Sequence, residues 1–348
     1  MKENKTSISR RKFLKNSTLA ATGTALVGPS LLSAARGLKW AYIPNSKIRG
    51  VQLGVITYSF RSMPDQSAKA TLQYVLDCGI NAIELMGDPA ESFAGKPESP
   101  VDRRAFYGLM RKKRNNELDQ KEEKEFLEMQ KTLDAYNKEV AAWRATVSMD
   151  KFKELRKMYN DAGVSIYAFK PSAFGKNNTD DEINWGMKVA KVLGASHVTL
   201  EHPSDDAHTA KLGKIAANHG IYVAYHGHEQ QTPTFWDTAL GQSEHNALNL
   251  DLGHFVAAGN NAPLDIIKEK HERIKSMHIK DRQTPEHEKG NLVWGTGDTP
   301  ITEALQLMRD NNYSFPATIE LEYDIPEGSN AVEEVKKCLA FAKQALES

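Results

Sequence analysis

The chain has 348 residues, of which 26% are charged and 40% are hydrophobic, and its formal net charge at pH 7 is zero. This composition is not that of a disordered chain or a membrane protein, and the lack of a basic excess argues against a nucleic-acid partner. The length is sufficient for two domains, or for one α/β barrel of about 250 residues with additional segments.

The N-terminus has the pattern of a twin-arginine export signal. The stretch SRRKFLK contains Arg10 and Arg11, and a weakly apolar stretch that ends in small residues follows it. That stretch is too short and too rich in Gly, Ser and Thr for a membrane-spanning helix. A chance arginine pair is the alternative. We predict that residues 1–35 are a signal peptide, that the protein is periplasmic and that it contacts the membrane only during export.

Cysteine is rare in the sequence, which contains Cys78 and Cys338 and no other. Two cysteines exclude a disulfide-rich scaffold and a metal cluster held by thiolates. In an oxidising periplasm the two could form a disulfide. The alternative, which we favour, is that both are buried free thiols.

From residue 50 onward, short apolar stretches alternate with amphipathic helical patterns. Several helical patterns end at a glycine, among them Gly194 and Gly220, which indicates helix C-termini. The apolar stretches are rich in β-branched or aromatic residues and predict eight strands, at residues 51–60, 81–87, 164–171, 196–203, 221–228, 247–254, 274–281 and 316–323. This alternation predicts an α/β fold, a (β/α)8 TIM barrel over residues 50–345. A doubly wound open sheet is the alternative, but no glycine-rich phosphate-binding turn follows the first strand.

One long segment, residues 88–148, separates the second predicted strand from its helix, where a barrel needs only a short loop. Much of the segment is dense in charges of both signs, which is typical of a solvated helical hairpin. The alternative is a lid over the barrel mouth, because the loops that follow the strands emerge on the catalytic face. In a lid, Phe106, Tyr107 and Trp143 would supply surfaces on which a sugar stacks.

Ionisable side chains are concentrated where the predicted strands end, and in a parallel barrel these ends converge on one mouth. The residues concerned are Glu84, Lys170, Glu201, His202, His226, His228, Asp251, His254, His278, Lys280, Asp281, Glu320 and Glu322. Burying so many ionisable groups without partners is costly, so the pattern predicts one divalent metal ion at an active site. Mixed oxygen and nitrogen ligation suits Mn, Zn, Co, Fe or Mg.

Six stretches resemble the xylose-isomerase-like superfamily of sugar phosphate isomerases and epimerases, which are TIM barrels: GVITYSFR, VAYHGHEQ, NLDLGHF, RIKSMHIKDR, WGTGDTPI and ATIELEY. Members of this family hold one divalent metal with a Glu, an Asp, a His and a Glu on their fifth to eighth strands. The resemblance implies that Asp251, His278 and Glu320 are metal ligands. The family's first Glu falls on or beside His226, so either His226 or Glu201 of the fourth strand completes the site.

The resemblance also implies a carbohydrate substrate and an enolisation reaction. The metal would bind a carbonyl and an adjacent hydroxyl oxygen, while a carboxylate or imidazole removes the proton next to the carbonyl. The residues that we predict to be catalytic are Glu320, Glu201, His228 and Lys280. Those that we predict to contact substrate are His254, Trp294 and Glu322. For Trp294 the alternative is a structural role, because the stretch WGTGDTP is typical of a turn.

Several outcomes of such a reaction are compatible with the sequence. Reprotonation gives an isomerase or an epimerase, whereas loss of a neighbouring group gives a lyase, such as one that breaks down 3-keto-glycosides in the periplasm. His226 stands where the family has its fifth-strand Glu, and the loss of this carboxylate disfavours a two-base epimerase. A non-catalytic sugar-binding protein is a further alternative. An endonuclease for abasic DNA shares the superfamily, but the export signal and zero net charge disfavour it. A homo-oligomer is compatible with the sequence.

Overall fold

A closed ring of parallel strands forms the centre of the computed structural model, which describes residues 44–348. The strands are β1 (Lys47–Ile48), β2 (Val51–Ile56), β3 (Ala82–Met86), β4 (Ser165–Lys170), β5 (His197–Glu201), β6 (Tyr222–His226), β7 (Asn246–Asp251), β8 (Ile274–Ile279), β9 (Asp281–Arg282), β10 (Asn291–Leu292) and β11 (Ala317–Ile319). β2 to β8 pair in sequence order, and β11 pairs with both β8 and β2 to close an eight-stranded barrel. β1 adds to β2 and β9 pairs with β10, both antiparallel. The prediction of a TIM barrel is confirmed, while the predicted signal peptide lies outside the described residues.

At least one helix follows each barrel strand, as the (β/α)8 pattern requires. The helices are α1 (Ala68–Asp77), α2 (Gly87–Phe93), α3 (Arg103–Arg114), α4 (Gln120–Thr146), α5 (Met149–Asp161), α6 (Asp180–Leu193), α7 (Asp206–His219), α8 (Asp237–Gln242), α9 (Leu252–Ala257), α10 (Pro263–Lys270), α11 (Ile301–Asp310) and α12 (Ala331–Glu347). α6 and α7 end at Gly194 and Gly220, which have positive φ angles of 87° and 64°. Glycine adopts this conformation without steric cost, so these two helices end where the sequence predicts.

The barrel interior is lined by polar side chains as well as apolar ones. In β7, the core residues Leu248 and Leu250 alternate with Asn249 and Asp251, and all four side chains are buried. Because alternate residues of a strand face opposite sides, the leucines pack against the surrounding layer while the polar residues face the barrel axis. The strand pairing places Asp251 of β7 beside His278 of β8. The alternation therefore brings chemically active groups of neighbouring strands together.

The segment 88–148 contains most of α2 and all of α3 and α4. No residue of α3 is buried, whereas α4 buries Arg144 near its C-terminal end. The Arg144 guanidinium lies 3.3 Å from Glu91 Oε2 and 3.1 Å from Glu182 Oε1. Trp143 packs edge-on against Trp185, with 5.8 Å between the ring centroids. The helical segment is thus attached to α6 through the end of α4.

The loop that follows β10 wraps around the carboxylate of Asp281. Backbone N–H groups of Gly295, Thr296, Gly297 and Thr299 donate hydrogen bonds to it over 2.7–3.2 Å. A Cβ atom on Gly297 would lie 2.4 Å from Asp281 Oδ1, so a larger residue would not fit. The WGTGDTP stretch is therefore a turn, as one reading of the sequence predicts, and Asp281 organises it.

Both cysteines are free and buried, as we expected. Cys78 ends α1 and Cys338 lies in α12. Burial raises the pKa of both thiols, that of Cys338 to about 12, so both stay protonated and unreactive at neutral pH. Among residues 44–348, no helix is both long and apolar enough to cross a membrane.

Candidate active site

Four buried side chains converge at the C-terminal ends of the strands β6, β7, β8 and β11. His226 is the last residue of β6, Asp251 is the last of β7, His278 lies in β8 and Glu320 follows β11. One nitrogen or oxygen of each lies within 4.8 Å of the corresponding atom of the others. We call these four residues the buried cluster. Four of the five residues that we predicted as metal ligands are thus brought together, and Glu201 is not among them.

The donor atoms of the buried cluster fit a divalent metal. His226 Nδ1 lies 2.8 Å from Asn249 Oδ1, which can only accept a hydrogen bond, so the Nε2 lone pair is free to face the cluster. Burial lowers the pKa of His226 to about 3, which keeps the ring neutral, the form that binds metals. Lys280 Nζ lies 2.9 Å from Asp251 Oδ2 but outside hydrogen-bond geometry, so this buried oxygen accepts no hydrogen bond from the described residues. Two imidazoles and two carboxylates suit a first-row transition metal.

His278 is held between two carboxylates. Its Nδ1 lies 2.8 Å from Glu320 Oε2, and its Nε2 lies 2.8 Å from Glu84 Oε2. Although burial opposes the charged form, Glu320 and Glu84 raise the pKa of His278 to about 10 in the metal-free protein. Loss of the Nδ1 proton would expose a lone pair toward the cluster, while Nε2–H continues to donate to Glu84. This is the usual arrangement of a carboxylate that orients a metal-binding histidine.

Glu84 is a predicted strand-end residue to which the sequence assigns no role. Its side chain is fully buried and accepts further hydrogen bonds from Thr199 Oγ1 at 2.6 Å and Asn249 Nδ2 at 3.3 Å. Burial opposes ionisation, but His278 and the hydrogen bonds lower the pKa of Glu84 to about 2. The sequence signal for a buried role of Glu84 is its position in the middle of an otherwise apolar strand. Its partner, 194 residues away, could not be identified from the sequence.

Lys280 places a positive charge beside the buried cluster. Its Nζ lies 2.6 Å from Glu320 Oε2 and 2.8 Å from Glu322 Oε2, in addition to its contact with Asp251. Burial favours the neutral amine, but these carboxylates raise the pKa of Lys280 above its ordinary value. Lys280 is therefore an ammonium group that can donate to a nearby oxygen.

His228 and Glu201 form a second pair at the mouth of the barrel. His228 Nδ1 lies 3.2 Å from Glu201 Oε2, and both side chains are about half exposed. Glu201 Oε1 also accepts a hydrogen bond from Lys170 Nζ over 2.9 Å. Partial burial opposes ionisation of Glu201, but the Lys170 ammonium group lowers the pKa of Glu201 below its ordinary value. The His228 ring centroid is 5.0 Å from that of His226, so the pair adjoins the buried cluster.

His254 presents a buried N–H group to the same space. Its Nδ1 accepts a hydrogen bond from the Arg282 guanidinium over 2.7 Å, which places the ring proton on Nε2. Nε2 is buried and has no hydrogen-bond partner in residues 44–348, and the nearest carboxylate oxygen, of Glu322, is 3.8 Å away. His226, His228 and His254 also lie close enough to share a metal, but this tautomer leaves Nε2 of His254 without a lone pair. The geometry therefore favours His254 Nε2–H as a hydrogen-bond donor to a bound substrate.

The remaining predicted substrate contacts differ in position. Glu322 is partly exposed and accepts a hydrogen bond from Lys280 beside the buried cluster. Trp294 is buried in the hydrophobic core, with its ring 6.1 Å from that of Phe341 in α12. Its indole N–H has no partner in the described part of the chain. Contact between Trp294 and a substrate stays a prediction.

Comparison with known proteins identifies a family and a similar protein. The family described as the xylose isomerase-like TIM barrel matches residues 125–344. Inosose dehydratase of Clostridium botulinum (strain Eklund 17B / Type B) is 26% identical over 271 residues, which cover 71% of this chain and 89% of that protein.

Two solved structures share the fold at low sequence identity. The IOLI protein with a bound zinc atom is 16% identical, with a TM-score of 0.53 over 85% of this chain and 98% of that one. The 3-keto-D-glucoside 4-epimerase YcjR of E. coli is 10% identical, with a TM-score of 0.54 over 84% of this chain and 99% of that one. These two structural similarities concern the fold alone.

Proposed function

Since the chain belongs to the xylose isomerase-like TIM-barrel family, we propose that it is a divalent-metal-dependent enzyme that removes a proton from a carbohydrate next to a carbonyl group. The observation that carries this proposal is the buried cluster of two imidazoles and two carboxylates at the barrel mouth. A carbohydrate-modifying enzyme is also supported by the relatives, which include a dehydratase and an epimerase.

His226 Nε2, His278 Nδ1 and the carboxylates of Asp251 and Glu320 would hold the metal. A bound divalent cation supplies a Lewis acid that draws electron density from the substrate's carbonyl oxygen. Glu320 is shared with His278 and Lys280 and its pKa lies well below its ordinary value, because their positive charges outweigh burial. These contacts favour Glu320 as a ligand over Glu320 as a general base.

His228 is the general base that the geometry favours. Its Nδ1 lies 3.2 Å from Glu201 Oε2, and a neutral His228 ring has one nitrogen lone pair that can accept a proton from carbon. Its exposed position at the barrel mouth makes it accessible to a substrate. Lys280 and His254 would donate hydrogen bonds to substrate oxygens whose negative charge grows as the proton leaves.

Elimination is the second candidate outcome. The mouth carries one base, His228 with its carboxylate, and one buried ammonium group, Lys280, instead of two free carboxylates. His228 can remove the proton and return it to a departing oxygen, while the Lys280 ammonium group stabilises the charge on that oxygen. These roles suit loss of water or of a glycosidic oxygen from the β carbon. The named activity of inosose dehydratase supports this alternative to epimerisation or isomerisation. If the predicted export occurs, the substrate would be an unphosphorylated sugar or a glycoside.

Hydrogen exchange with solvent tests the proposal directly. The purified protein, analysed for metal, is incubated in D2O with ketoses and 3-keto-glucosides, and deuterium at carbon and new products are followed by NMR and mass spectrometry. We expect exchange or elimination with wild-type protein and a loss of about 100-fold or more in His228→Gln, which removes the base. His287→Gln is a matched control, because His287 is also exposed and paired with a carboxylate, that of Asp298, yet lies outside the site.

The Asp251→Ala variant separates an enzyme from a sugar-binding protein. Loss of both metal and turnover is the expected result, because Asp251 is fully buried in the cluster. Metal-loaded wild-type protein that catalyses no exchange on any of these carbohydrates would contradict the proposal. If Asp251→Ala also retained wild-type sugar affinity, a non-catalytic sugar-binding protein would be the better description.

A further inference from the structure

A cavity of about 650 Å³ lies between α3 and the C-terminal ends of β4 and β5. Its walls combine apolar surfaces with a few polar groups, and they include Met86, Tyr107, Lys170, Phe174, Glu201 and His202. Tyr107 is the contribution of the inserted segment, and 58% of this residue is exposed. The neighbouring aromatic residues of the insertion are engaged elsewhere, since Phe106 stacks on Phe126 with 5.3 Å between ring centroids and Trp143 packs on Trp185.

This cavity adjoins the candidate active site. Glu201 lines the cavity, and its Oε2 lies 3.2 Å from Nδ1 of the proposed base His228. Lys170 lines the cavity as well and donates to the other oxygen of Glu201. A ligand that extends from the buried cluster past His228 would therefore enter the cavity.

The charges on the walls favour an uncharged ligand group. Both lysines of the cavity are paired with carboxylates: Lys170 with Glu201, and Lys176 with Asp205 at 3.1 Å. A phosphate group would have to compete with these carboxylates for positive charge. The exposed Tyr107 ring and the adjacent apolar walls instead suit a ring that presents an apolar face, as sugars and aromatic groups do.

We propose that this cavity is a subsite for the second ring of a glycoside whose first ring reacts at the buried cluster. The inference rests on the proposed function and names its substrate class: a sugar joined by a glycosidic bond to another sugar or to an aromatic group. Tyr107 is the residue that determines this specificity, and α3 of the inserted segment places it beside β4 and β5. Phosphorylated monosaccharides do not use the subsite.

Binding of unreactive probes tests the subsite without requiring turnover. Titration calorimetry of the full-length, metal-analysed protein compares methyl glucosides and galactosides with the phenyl glycosides and with cellobiose and lactose. We expect at least one ring-bearing probe to bind about tenfold more tightly than its methyl counterpart, because one aromatic contact contributes roughly this factor. Phenyl glycosides and disaccharides distinguish an aromatic from a sugar second ring.

Three variants assign the preference to Tyr107. In Tyr107→Ala the tenfold preference should vanish while the affinity for the methyl glycoside is unchanged, and Tyr107→Phe should retain it. Leu127→Ala is the control, because Leu127 is 52% exposed on the same insertion but does not line the cavity. The inference would be overturned by equal affinities of the wild-type protein for the methyl and ring-bearing probes, or by no detectable binding of any ring-bearing probe. It would also be overturned if Tyr107→Ala lost the same affinity for both types of probe. A preserved preference together with no hydrogen exchange on any keto-sugar would instead overturn the proposed function.

Discussion

At the scale of single residues, the position of His278 depends on a carboxylate that does not belong to the buried cluster. Glu84 lies below the cluster in the barrel, where Thr199, Asn249 and His278 all donate hydrogen bonds to it. Asn249 in turn accepts a hydrogen bond from His226, so one buried network orients both imidazoles. Outer partners of this kind fix the tautomer of a metal-binding histidine and increase its basicity.

The substitution Glu84→Gln tests this positioning role. We expect the affinity for Zn²⁺ to fall about 10- to 100-fold, because His278 loses the ionic acceptor for its Nε2–H. Competition with a chromophoric chelator measures the affinity. Glu91→Gln is the matched control, since Glu91 is also a buried carboxylate but pairs with Arg144 away from the cluster. Wild-type Zn²⁺ affinity in Glu84→Gln would contradict the role.

The same contact predicts how the stability of the metal-free protein depends on pH. Burial opposes the charge on His278, but the carboxylates raise its pKa from 6.5 to about 10, so its stabilising contribution is complete below pH 6.5 and is lost toward pH 10. Burial likewise opposes ionisation of Glu84, but His278 lowers that pKa from 4.5 to about 2, so this contribution is complete above pH 4.5 and is lost toward pH 2. The pair therefore favours folding most between pH 4.5 and 6.5.

Urea unfolding in the presence of a chelator measures this dependence. Between pH 5.5 and pH 9 we expect the free energy of unfolding to decrease by more than about 1 kcal/mol in wild-type protein. The decrease should be much smaller in His278→Asn, which cannot carry the charge. An equal decrease in both proteins would assign the effect to other groups.

At the scale of secondary-structure elements, the sequence predicts the barrel well because its signals are local. All eight predicted strands are present, since each is a short β-branched or aromatic stretch between breaks. Their C-terminal ends are less well predicted: β2 ends at Ile56, and Thr57–Phe60 is a 3-10 turn whose aromatic residues Tyr58 and Phe60 resemble a continued strand. Motifs located Asp251 and His278, but the contact between Glu84 and His278 depends on the closure of the barrel, which no local pattern encodes.

The attachment of the inserted segment to the barrel is also not predictable from a local pattern, because it depends on the buried side chain of Arg144. The Arg144 guanidinium contacts Glu91 and Glu182 and lies over the ring of Trp185 at 4.9 Å. We expect Arg144→Ala to lower the free energy of unfolding by about 3–5 kcal/mol, because Glu91 and Glu182 lose the guanidinium and Glu91 keeps only Lys96, 3.5 Å away. Urea denaturation measures the loss.

Two comparisons give that experiment a clear outcome. The double variant with Glu91→Gln should recover part of the stability, because the buried carboxylate that has lost Arg144 is removed. Lys157→Ala breaks the ion pair with Asp161, in which both side chains are largely exposed, and should leave the stability unchanged. A loss below about 1 kcal/mol in Arg144→Ala would show that the inserted segment is held mainly by apolar contacts.

At the scale of the whole molecule, the depth of the buried cluster restricts when a metal can enter. The side chains of its four residues are at most 6% exposed, and His228 and Glu201 lie at the mouth above them. A metal therefore enters most readily during folding or through rare opening of the mouth. If the predicted twin-arginine signal is used, folding precedes export, and the metal would be the one that the cytoplasm supplies.

Replacing the arginine pair tests this order of events. We expect the double substitution of Arg10 and Arg11 by Lys to retain the protein in the cytoplasm, because the twin-arginine pathway requires the pair, whereas the wild-type chain reaches the periplasm. Fractionation followed by immunoblotting measures the distribution, and elemental analysis of the two purified forms measures the metal. Lys2→Arg with Lys5→Arg is the control, since it alters neighbouring basic residues but not the pair. If the metal is bound before export, the retained and exported proteins should contain the same metal. A different metal in the exported protein would show that the site is filled after export. Periplasmic protein from the double Lys variant would contradict the predicted signal.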